Sequence, residues 1–287
     1  MTGDTTIAHR FLSFLPSGSS TPIVVQSADG QQYLVKLKGG QSGSFSYINE
    51  WIAGRLGVAL GLPVSVPHTI WIDETLETGG IHEEVKDLIH KSFGLNLAFP
   101  FFENAVPCSA KTAHVAYDDV VQKLFAYDVF LLNTDRTAQN PNLLELDGRV
   151  FSFDYETSFL LMGVAQGRDF SQSDFVLRAL RENPLFREDL NAEAVSGLFT
   201  RLQQADIAGI VESLPDAWAL PLNPDAGVLK ENLKKGLAAA VAAGAGFAET
   251  LRRVTEITPE NEEDKRKRRE ANRTKFEQGL IPIEILE

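Results

Sequence analysis

The stretch that decides the fold is LLNTDRTAQNPNLLELDGRVFSFDYETSF, residues 131–159. Apolar residues flank Asp147-Gly148 on both sides, and this dipeptide favours the positive φ angles of a two-residue hairpin turn. The pattern predicts one short strand over residues 143–146 and a returning strand over residues 150–153. The sequence therefore predicts a β-hairpin with Asp154 at the end of its second strand.

Three polar residues around this hairpin indicate a site for a metal ion and a phosphate group: Asp135, Asn140 and Asp154. Mg²⁺ prefers oxygen ligands and is usually held by one or two protein side chains together with phosphates. Asp135 and Asn140 have the spacing that phosphoryl-transfer enzymes use for the residue that positions the nucleophile and for a metal-binding asparagine. Turn formation is the alternative for Asn140, since Asp and Asn are common in turns, and Asp154 could simply cap its strand.

Composition limits the class of protein. The chain has 287 residues, enough for one large two-lobed domain or for two domains, and 44% of them are hydrophobic. A net charge of −12 argues against general nucleic-acid binding, which favours basic surfaces. Cys108 is the only cysteine, which excludes an intramolecular disulfide and favours a cytoplasmic location.

No segment of the sequence predicts a signal peptide or a membrane span. The N-terminus lacks a basic segment followed by a long apolar one. The most apolar long run, residues 237–248, is shorter than the ~20 residues that a spanning helix needs. The basic run Lys265–Arg269 is flanked by acidic residues, so an ion-paired surface helix is favoured over a nucleic-acid contact.

The N-terminal third contains a second set of candidate residues. A Ser/Gly loop at residues 16–21 precedes a strand, a turn and a further strand that carries Lys36, and the next helix carries Glu50. Backbone N–H groups of such a loop can bind phosphates. In phosphoryl-transfer enzymes a strand lysine neutralises phosphate charge and a helix glutamate holds the lysine in place. The alternative is that Lys36 is an ordinary strand lysine that faces solvent and has no role in binding phosphate.

Two further segments bear on the site. The pattern over residues 118–132 predicts a helix with Asp128 on its apolar face, where a carboxylate must be hydrogen-bonded, and we expect it to brace the loop that follows. Residues 93–106 are apolar and aromatic, with Pro100 inside and Pro107 after them, and predict an extended connector. Helical patterns dominate after Phe159.

The residues quoted above resemble a known family. Residues 135–140 (DRTAQN) followed by residues 153–156 (FDYE) are similar to the catalytic and metal-binding segments of the HipA-like kinases, which share a fold with the phosphoinositide kinases. SGSSTPIVV with DGQQYLVKLK resembles the phosphate loop, hairpin and ATP lysine of the family, and the similarity covers most of residues 10–255. Thr137 stands where such motifs often have His.

The resemblance implies an α+β, two-lobed, protein-kinase-like fold. The expected parts are a β-rich N-lobe at residues 1–105, a mainly helical C-lobe at residues 106–258, and a charged C-terminal helix and tail at residues 259–287. Asp135 would be the catalytic aspartate, and Asn140 and Asp154 would bind the metal. The ATP-binding residues would be Lys36, Glu50, Ser17, Gly18, Ser19, Ser20, and, where the adenine-binding hinge is expected, Phe102 and Glu103. The residues expected to support them are Asp128, Arg136 and Glu156.

The activity implied is an ATP- and Mg²⁺-dependent phosphotransferase of the Ser/Thr protein kinase type, in a toxin–antitoxin or defence system with an antitoxin as partner. Two alternatives stay open from the sequence. One is a kinase of the same fold that acts on a small molecule or a lipid. The other is a nucleotide-binding pseudokinase that acts by binding a partner.

Overall fold

The computed structural model describes residues 5–15, 22–40, 44–190 and 192–259, together with Glu263 and Arg266. Its N-terminal part is a closed five-stranded barrel, in which β1 and β4 pair in parallel to close the order β1-β2-β3-β5-β4. The strands are β1 (Thr6–Phe14), β2 (Ile23–Ser27), β3 (Gln32–Lys36), β4 (His68–Ile72) and β5 (Gly94–Pro100).

Alternation along β3 orients the lysine as predicted. Val35 and Leu37 are fully buried in the apolar core of the barrel. Because successive side chains of a strand point to opposite faces, Lys36 leaves the barrel on the other side. The turn between β2 and β3 contains Gly30 with a φ of 85°, a conformation that glycine adopts without steric cost.

The prediction of an extended connector over residues 93–106 was wrong for half of the segment. Residues 94–100 form β5, an inner strand that pairs with β3 on one side and β4 on the other, and residues 101–105 connect β5 to β6. Ala98 packs into the barrel core, whereas Leu97 and Phe99 pack against the helix that follows β3. A strand that is buried on both faces has no polar alternation, so its sequence lacks the usual strand signal.

The C-terminal part is mainly helical and contains a small antiparallel sheet of β6 (Val106–Pro107), β7 (Leu143–Leu146) and β8 (Arg149–Ser152). The predicted hairpin is confirmed: β7 and β8 pair, and the turn residues Asp147 and Gly148 have φ angles of 51° and 69°. The helices are α1 (Ser44–Ala59), α2 (Glu83–Lys91), α3 (Ala110–Ala116), α4 (Asp118–Leu131), α5 (Phe159–Gln166), α6 (Asp174–Arg181), α7 (Ala192–Gln204), α8 (Ile207–Glu212), α9 (Asp216–Ala219), α10 (Ala226–Ala242) and α11 (Gly244–Glu256).

Helix α1 joins the two parts of the molecule. One apolar cluster contains Tyr47 and Trp51 of α1, Leu97 of the barrel, and Trp218 and Leu233 of the C-terminal helices. The Trp51 indole donates to the Ser213 hydroxyl at 3.1 Å. The helix that carries Glu50 is thus packed against both parts at once.

Some predicted features lie outside the described residues. These are the Ser/Gly loop at residues 16–21 and, apart from Glu263 and Arg266, the charged segment and tail from residue 260 onward. Of the helices described, none combines the length and the apolar character that crossing a lipid bilayer requires.

Candidate active site

Lys36 is the centre of a cluster of carboxylates between the barrel and the hairpin. Its Nζ lies 2.6 Å from Oε1 of Glu50, 2.8 Å from Oδ1 of Asp154 and 3.2 Å from Oε2 of Glu156. Burial by itself lowers the pKa of Lys36, but the three carboxylates together raise it well above its usual value. The lysine is therefore a permanent cation, and the sequence prediction that Lys36 and Glu50 form a pair is confirmed.

Glu50 uses both carboxylate oxygens. Oε1 accepts from Lys36, and Oε2 accepts from the backbone N–H of Tyr155 at 3.0 Å. Burial raises the pKa of Glu50 to about 8, although the attraction of Lys36 opposes the shift. The cluster contains more carboxylates than Lys36 can balance, so its most buried member is readily protonated.

Asp154 lies two residues beyond the end of β8, in a left-handed backbone conformation with a φ of 63°. Burial opposes its ionisation, but the adjacent Lys36 ammonium holds the pKa of this carboxyl below its usual value. Strained non-glycine residues concentrate at functional sites. Among the described residues, every non-glycine residue with a positive φ lies within residues 131–159: Leu132, Asn142, Asp147 and Asp154.

Glu156 faces Lys36 and is tied to α1. The Ser46 hydroxyl donates to Oε2 of Glu156 at 3.0 Å, and the Asn49 amide donates to its backbone carbonyl. The segment after β8 is thus fixed to the same helix that carries Glu50. One oxygen from each of the carboxylates of Glu50, Asp154 and Glu156 lies within 4.8 Å of the others.

Asp135 lies on the loop between α4 and β7 and is partly buried. Burial raises the pKa of Asp135 to about 6, the charges of Asp154 and Glu156 add to the shift, and a hydrogen bond from Asn142 opposes it. A carboxylate whose pKa is close to neutral is suited to accepting a proton from a hydroxyl group.

Arg136 stabilises the conformation of the loop between α4 and β7 from its buried side. Its side chain is fully buried, and its five N–H groups reach the Asp128 carboxylate, the carbonyls of Pro141 and Asn142, and the Ser152 hydroxyl. Arginine is suited to this position because its planar fork donates in several fixed directions. The arginine therefore links the start of the loop to its end and to β8.

Asp128 anchors this network. Besides Arg136, its carboxylate accepts from the side-chain amides of Asn133 at 3.0 Å and Asn183 at 2.9 Å. The expectation that a carboxylate on the apolar face of α4 would be hydrogen-bonded and would brace the following loop is confirmed.

Asn140, the predicted metal ligand, lies in a surface turn. Asn140 is exposed, and its backbone N–H and carbonyl both pair with Thr137, the N–H donating to Oγ1 and the carbonyl accepting from the Thr137 N–H. Asn142 is instead buried, and its Nδ2 donates to Oδ2 of Asp135 at 3.2 Å. Thr137, which replaces a common histidine, thus stabilises a surface turn.

The expected adenine-binding residues lie in the segment that connects β5 to β6. Phe102 is half exposed, and the Glu103 carboxylate accepts from the Gln32 side-chain amide at 2.8 Å. This segment crosses from the barrel to the second sheet, beside the first residues of β3. The phosphate-loop residues predicted with them lie outside the described residues: Ser17, Gly18, Ser19 and Ser20.

The donor set fits a magnesium ion. Asp154 and Glu156 supply carboxylate oxygens, and Oδ1 of Asn142 is a buried amide oxygen without a hydrogen-bond partner. Hard oxygen ligands of this kind are those that Mg²⁺ prefers. The orphaned oxygen is the observation that a bound cation would explain, because buried polar atoms are nearly always paired.

Comparison with known proteins now gives the family. A family model described as "HipA-like kinase" matches residues 9–239, most of the chain. This chain belongs to the HipA-like kinase family. The enzyme is therefore a kinase, as the resemblance implied. No curated protein matches its sequence.

Solved structures similar to this HipA-like kinase are distant in sequence. The Helicobacter pylori proinflammatory kinase CtkA matches with a TM-score of 0.50 and 14% identity, over 88% of this chain and 99% of that chain. HipA from Shewanella oneidensis, solved with HipB and operator DNA, matches with a TM-score of 0.49 and 13% identity, over 90% of this chain and 69% of that chain. The CtkA match supports the fold alone, and the predicted α+β kinase-like fold is confirmed.

Sequence reasoning missed several residues that complete the site. The Ser46 hydroxyl and the Tyr155 N–H donate to the carboxylates of Glu156 and Glu50, and the Asn49 amide donates to the Glu156 backbone carbonyl. These contacts join distant segments of the chain, so sequence patterns do not reveal them. Asn142 had a signal, because it is the polar residue directly before the predicted strand. The spacing from Asp135 directed attention to Asn140 instead.

Proposed function

We propose that this HipA-like kinase transfers the γ-phosphoryl group of ATP to a serine or threonine hydroxyl of a protein, with Mg²⁺ bound in the cleft. The observation that carries the proposal is the charge of the cleft. Asp154, Glu156 and Glu50 surround Lys36, and Asp135 lies close enough for two of these carboxylates to raise its pKa. Four carboxylates beside one ammonium group favour the binding of a divalent cation.

Each side chain has a role in the transfer. Lys36 contacts the phosphates of ATP, and Glu50 fixes its position. Asp135 accepts a hydrogen bond from the acceptor hydroxyl and takes its proton as the oxygen forms a bond to the γ-phosphorus. The bond from that phosphorus to the bridging oxygen breaks, and ADP leaves. Asp154 and an asparagine amide would hold Mg²⁺, which would supply positive charge to offset the charge developing on the phosphoryl oxygens.

A protein acceptor is favoured over a lipid one. The chain carries a net charge of −12 and has no cationic excess to attract an anionic membrane surface. The family resemblance further implies an antitoxin-type protein as partner and a setting in the cytoplasm, which the single cysteine favours. Purification of the tagged chain from its native host, with identification of stoichiometric partners, would test the first of these.

The test of the activity is a transfer assay with radiolabelled ATP, Mg²⁺ and host lysate. Asp135→Ala and Asp154→Ala should each abolish label transfer, by at least about a hundredfold, because one removes the base and the other a metal ligand. Circular dichroism should show that both variants remain folded. Transfer at the wild-type rate by either variant would overturn the assignment, and label found only in small molecules would replace the protein acceptor.

A further inference from the structure

The open end of the β7–β8 hairpin brings Asn142 next to Asp154. Leu143, the first residue of β7, pairs with Ser152, the last residue of β8. Beyond this pair, the Phe153 N–H donates to the Asn142 carbonyl at 3.2 Å. Asp154 follows directly. Asn142 and Asp154 both have left-handed backbone conformations, and they therefore flank this end of the hairpin, one beside each strand.

The Asn142 side chain is held with one end paired and the other free. Only 1% of the residue is exposed; Nδ2 donates to Oδ2 of Asp135 at 3.2 Å, and Oδ1 is buried with no partner. A buried polar atom left unpaired destabilises the folded state. The left-handed backbone adds to that cost, and Arg136 holds it there by donating to the Asn142 carbonyl.

Asn140 has none of these features. It is exposed, and both of its backbone polar groups are used in the turn with Thr137. The turn that it forms satisfies the ordinary preference of asparagine for such positions and leaves nothing to be explained by a ligand.

We propose that Asn142, and not Asn140, supplies the amide ligand of Mg²⁺ in the nucleotide complex, an assignment that rests on the proposed function. Mg²⁺ at Oδ1 satisfies the orphaned oxygen, and the Asp154 carboxylate is the partner ligand at the same end of the hairpin. The amide then connects the two halves of the site. Its oxygen binds the metal while its nitrogen orients the carboxylate of Asp135.

The test compares two matched variants, Asn142→Gly and Asn140→Gly. Glycine accepts the positive φ of position 142, so the backbone is kept while the amide is removed. The affinity for a non-hydrolysable ATP analogue is measured by calorimetry with MgCl₂ and again with EDTA. We expect the wild-type protein and Asn140→Gly to bind the analogue more tightly with Mg²⁺. Asn142→Gly should lose that gain, about tenfold or more, and should match the wild type in EDTA.

Each outcome decides the matter. If Asn140→Gly loses the Mg²⁺-dependent gain, or if Asn142→Gly keeps it, the assignment is wrong. A wild-type protein whose affinity is the same in Mg²⁺ and in EDTA would instead contradict the proposed function itself. If Asn142→Gly does not fold by circular dichroism, Asn142→Asp serves in its place. It keeps an oxygen ligand, so it should retain the gain, and loss of the gain in folded Asn142→Asp would overturn the assignment.

Discussion

Lys36 is the residue on which the charge of the site depends. Its side chain is buried and forms ion pairs with Glu50, Asp154 and Glu156. A buried ion pair contributes little net stability, but removing one partner leaves uncompensated charge and is expensive. The three carboxylates could not share this space without the ammonium group.

Replacement of the lysine should therefore destabilise the protein in a pH-dependent way. We expect Lys36→Met to lower the free energy of unfolding by about 3 kcal/mol at pH 8. Without the ammonium, burial raises the folded-state pKa values of Glu50 and Asp154 above their unfolded values. The folded state then binds more protons than the unfolded state between those values, so stability increases as the pH falls.

Urea unfolding of Lys36→Met and the wild type at pH 8 and pH 5.5 measures this effect. The difference in free energy between the two proteins should be smaller at pH 5.5. Lys123→Met is the control, since Lys123 pairs with Asp119 on the exposed side of α4. A deficit that is equal at both pH values would mean that lost packing, and not charge, is responsible.

The hairpin and its preceding loop are the element that the sequence predicts best. The turn at Asp147-Gly148 and both strands were predicted from local preferences, and Asp154 lies just beyond the strand end as expected. Asn142 was missed because motif spacing counts residues along the chain. Asn140 pairs with Thr137 in a turn, and Asn142, two residues further on, is the residue directly before the strand. Only the folded backbone reveals this turn.

Other elements were predicted less well for a different physical reason. The bounds of α4 agree closely with the helix predicted over residues 118–132. Strand β5 was missed because both of its faces are buried, one in the barrel and one against α1, so its sequence carries no alternation. The role of Asn140 as a metal ligand stays a prediction, with Asn142 proposed in its place.

Arg136 is the residue that keeps this element in its conformation, and its replacement tests that. Arg136→Lys keeps the charge but loses the fork that reaches Asp128, Ser152 and the two loop carbonyls. We expect the free energy of unfolding to fall by about 3 kcal/mol, because polar groups fully buried beneath the loop lose their partners.

Chemical denaturation with the matched variant Arg149→Lys checks the Arg136 prediction. Arg149 lies in the same hairpin but is exposed, so its replacement should change stability by no more than about 0.5 kcal/mol. Equal effects of the two substitutions would show that the buried network contributes nothing specific. Transfer activity of folded Arg136→Lys should also fall, because the loop that it holds carries Asp135.

At the scale of the whole molecule, the two parts predicted from the sequence share their packing. The division at residue 105 stays a prediction, and it falls in the segment that joins β5 to β6. Besides the cluster around Lys36, two features of the packing and of the backbone pairing join the parts across it. Helix α1 packs against both the barrel and the C-terminal helices, and the loop after α1 pairs with β8 through hydrogen bonds of the Ser152 N–H to Pro63 and of the Ser65 N–H to Ser152.

This shared packing predicts that the described parts unfold as one cooperative unit. Trp51 of α1 and Trp218 of α9 meet edge to face with their ring centroids 5.4 Å apart, and both are buried in the cluster that joins the two parts. In a Trp71→Phe background these two residues are the remaining tryptophans, so their fluorescence reports on the junction alone. Thermal unfolding followed by this fluorescence and by far-ultraviolet circular dichroism should give coincident transitions.

Adding Trp51→Ala removes the indole at the centre of the junction and should lower the free energy of unfolding by about 3–5 kcal/mol. If the junction is what couples the parts, circular dichroism of that variant should separate into two transitions. In the parent protein, a fluorescence transition at a clearly lower temperature than the circular dichroism transition would mean that the two parts unfold independently. Helix α1 would then not couple the barrel to the C-terminal helices.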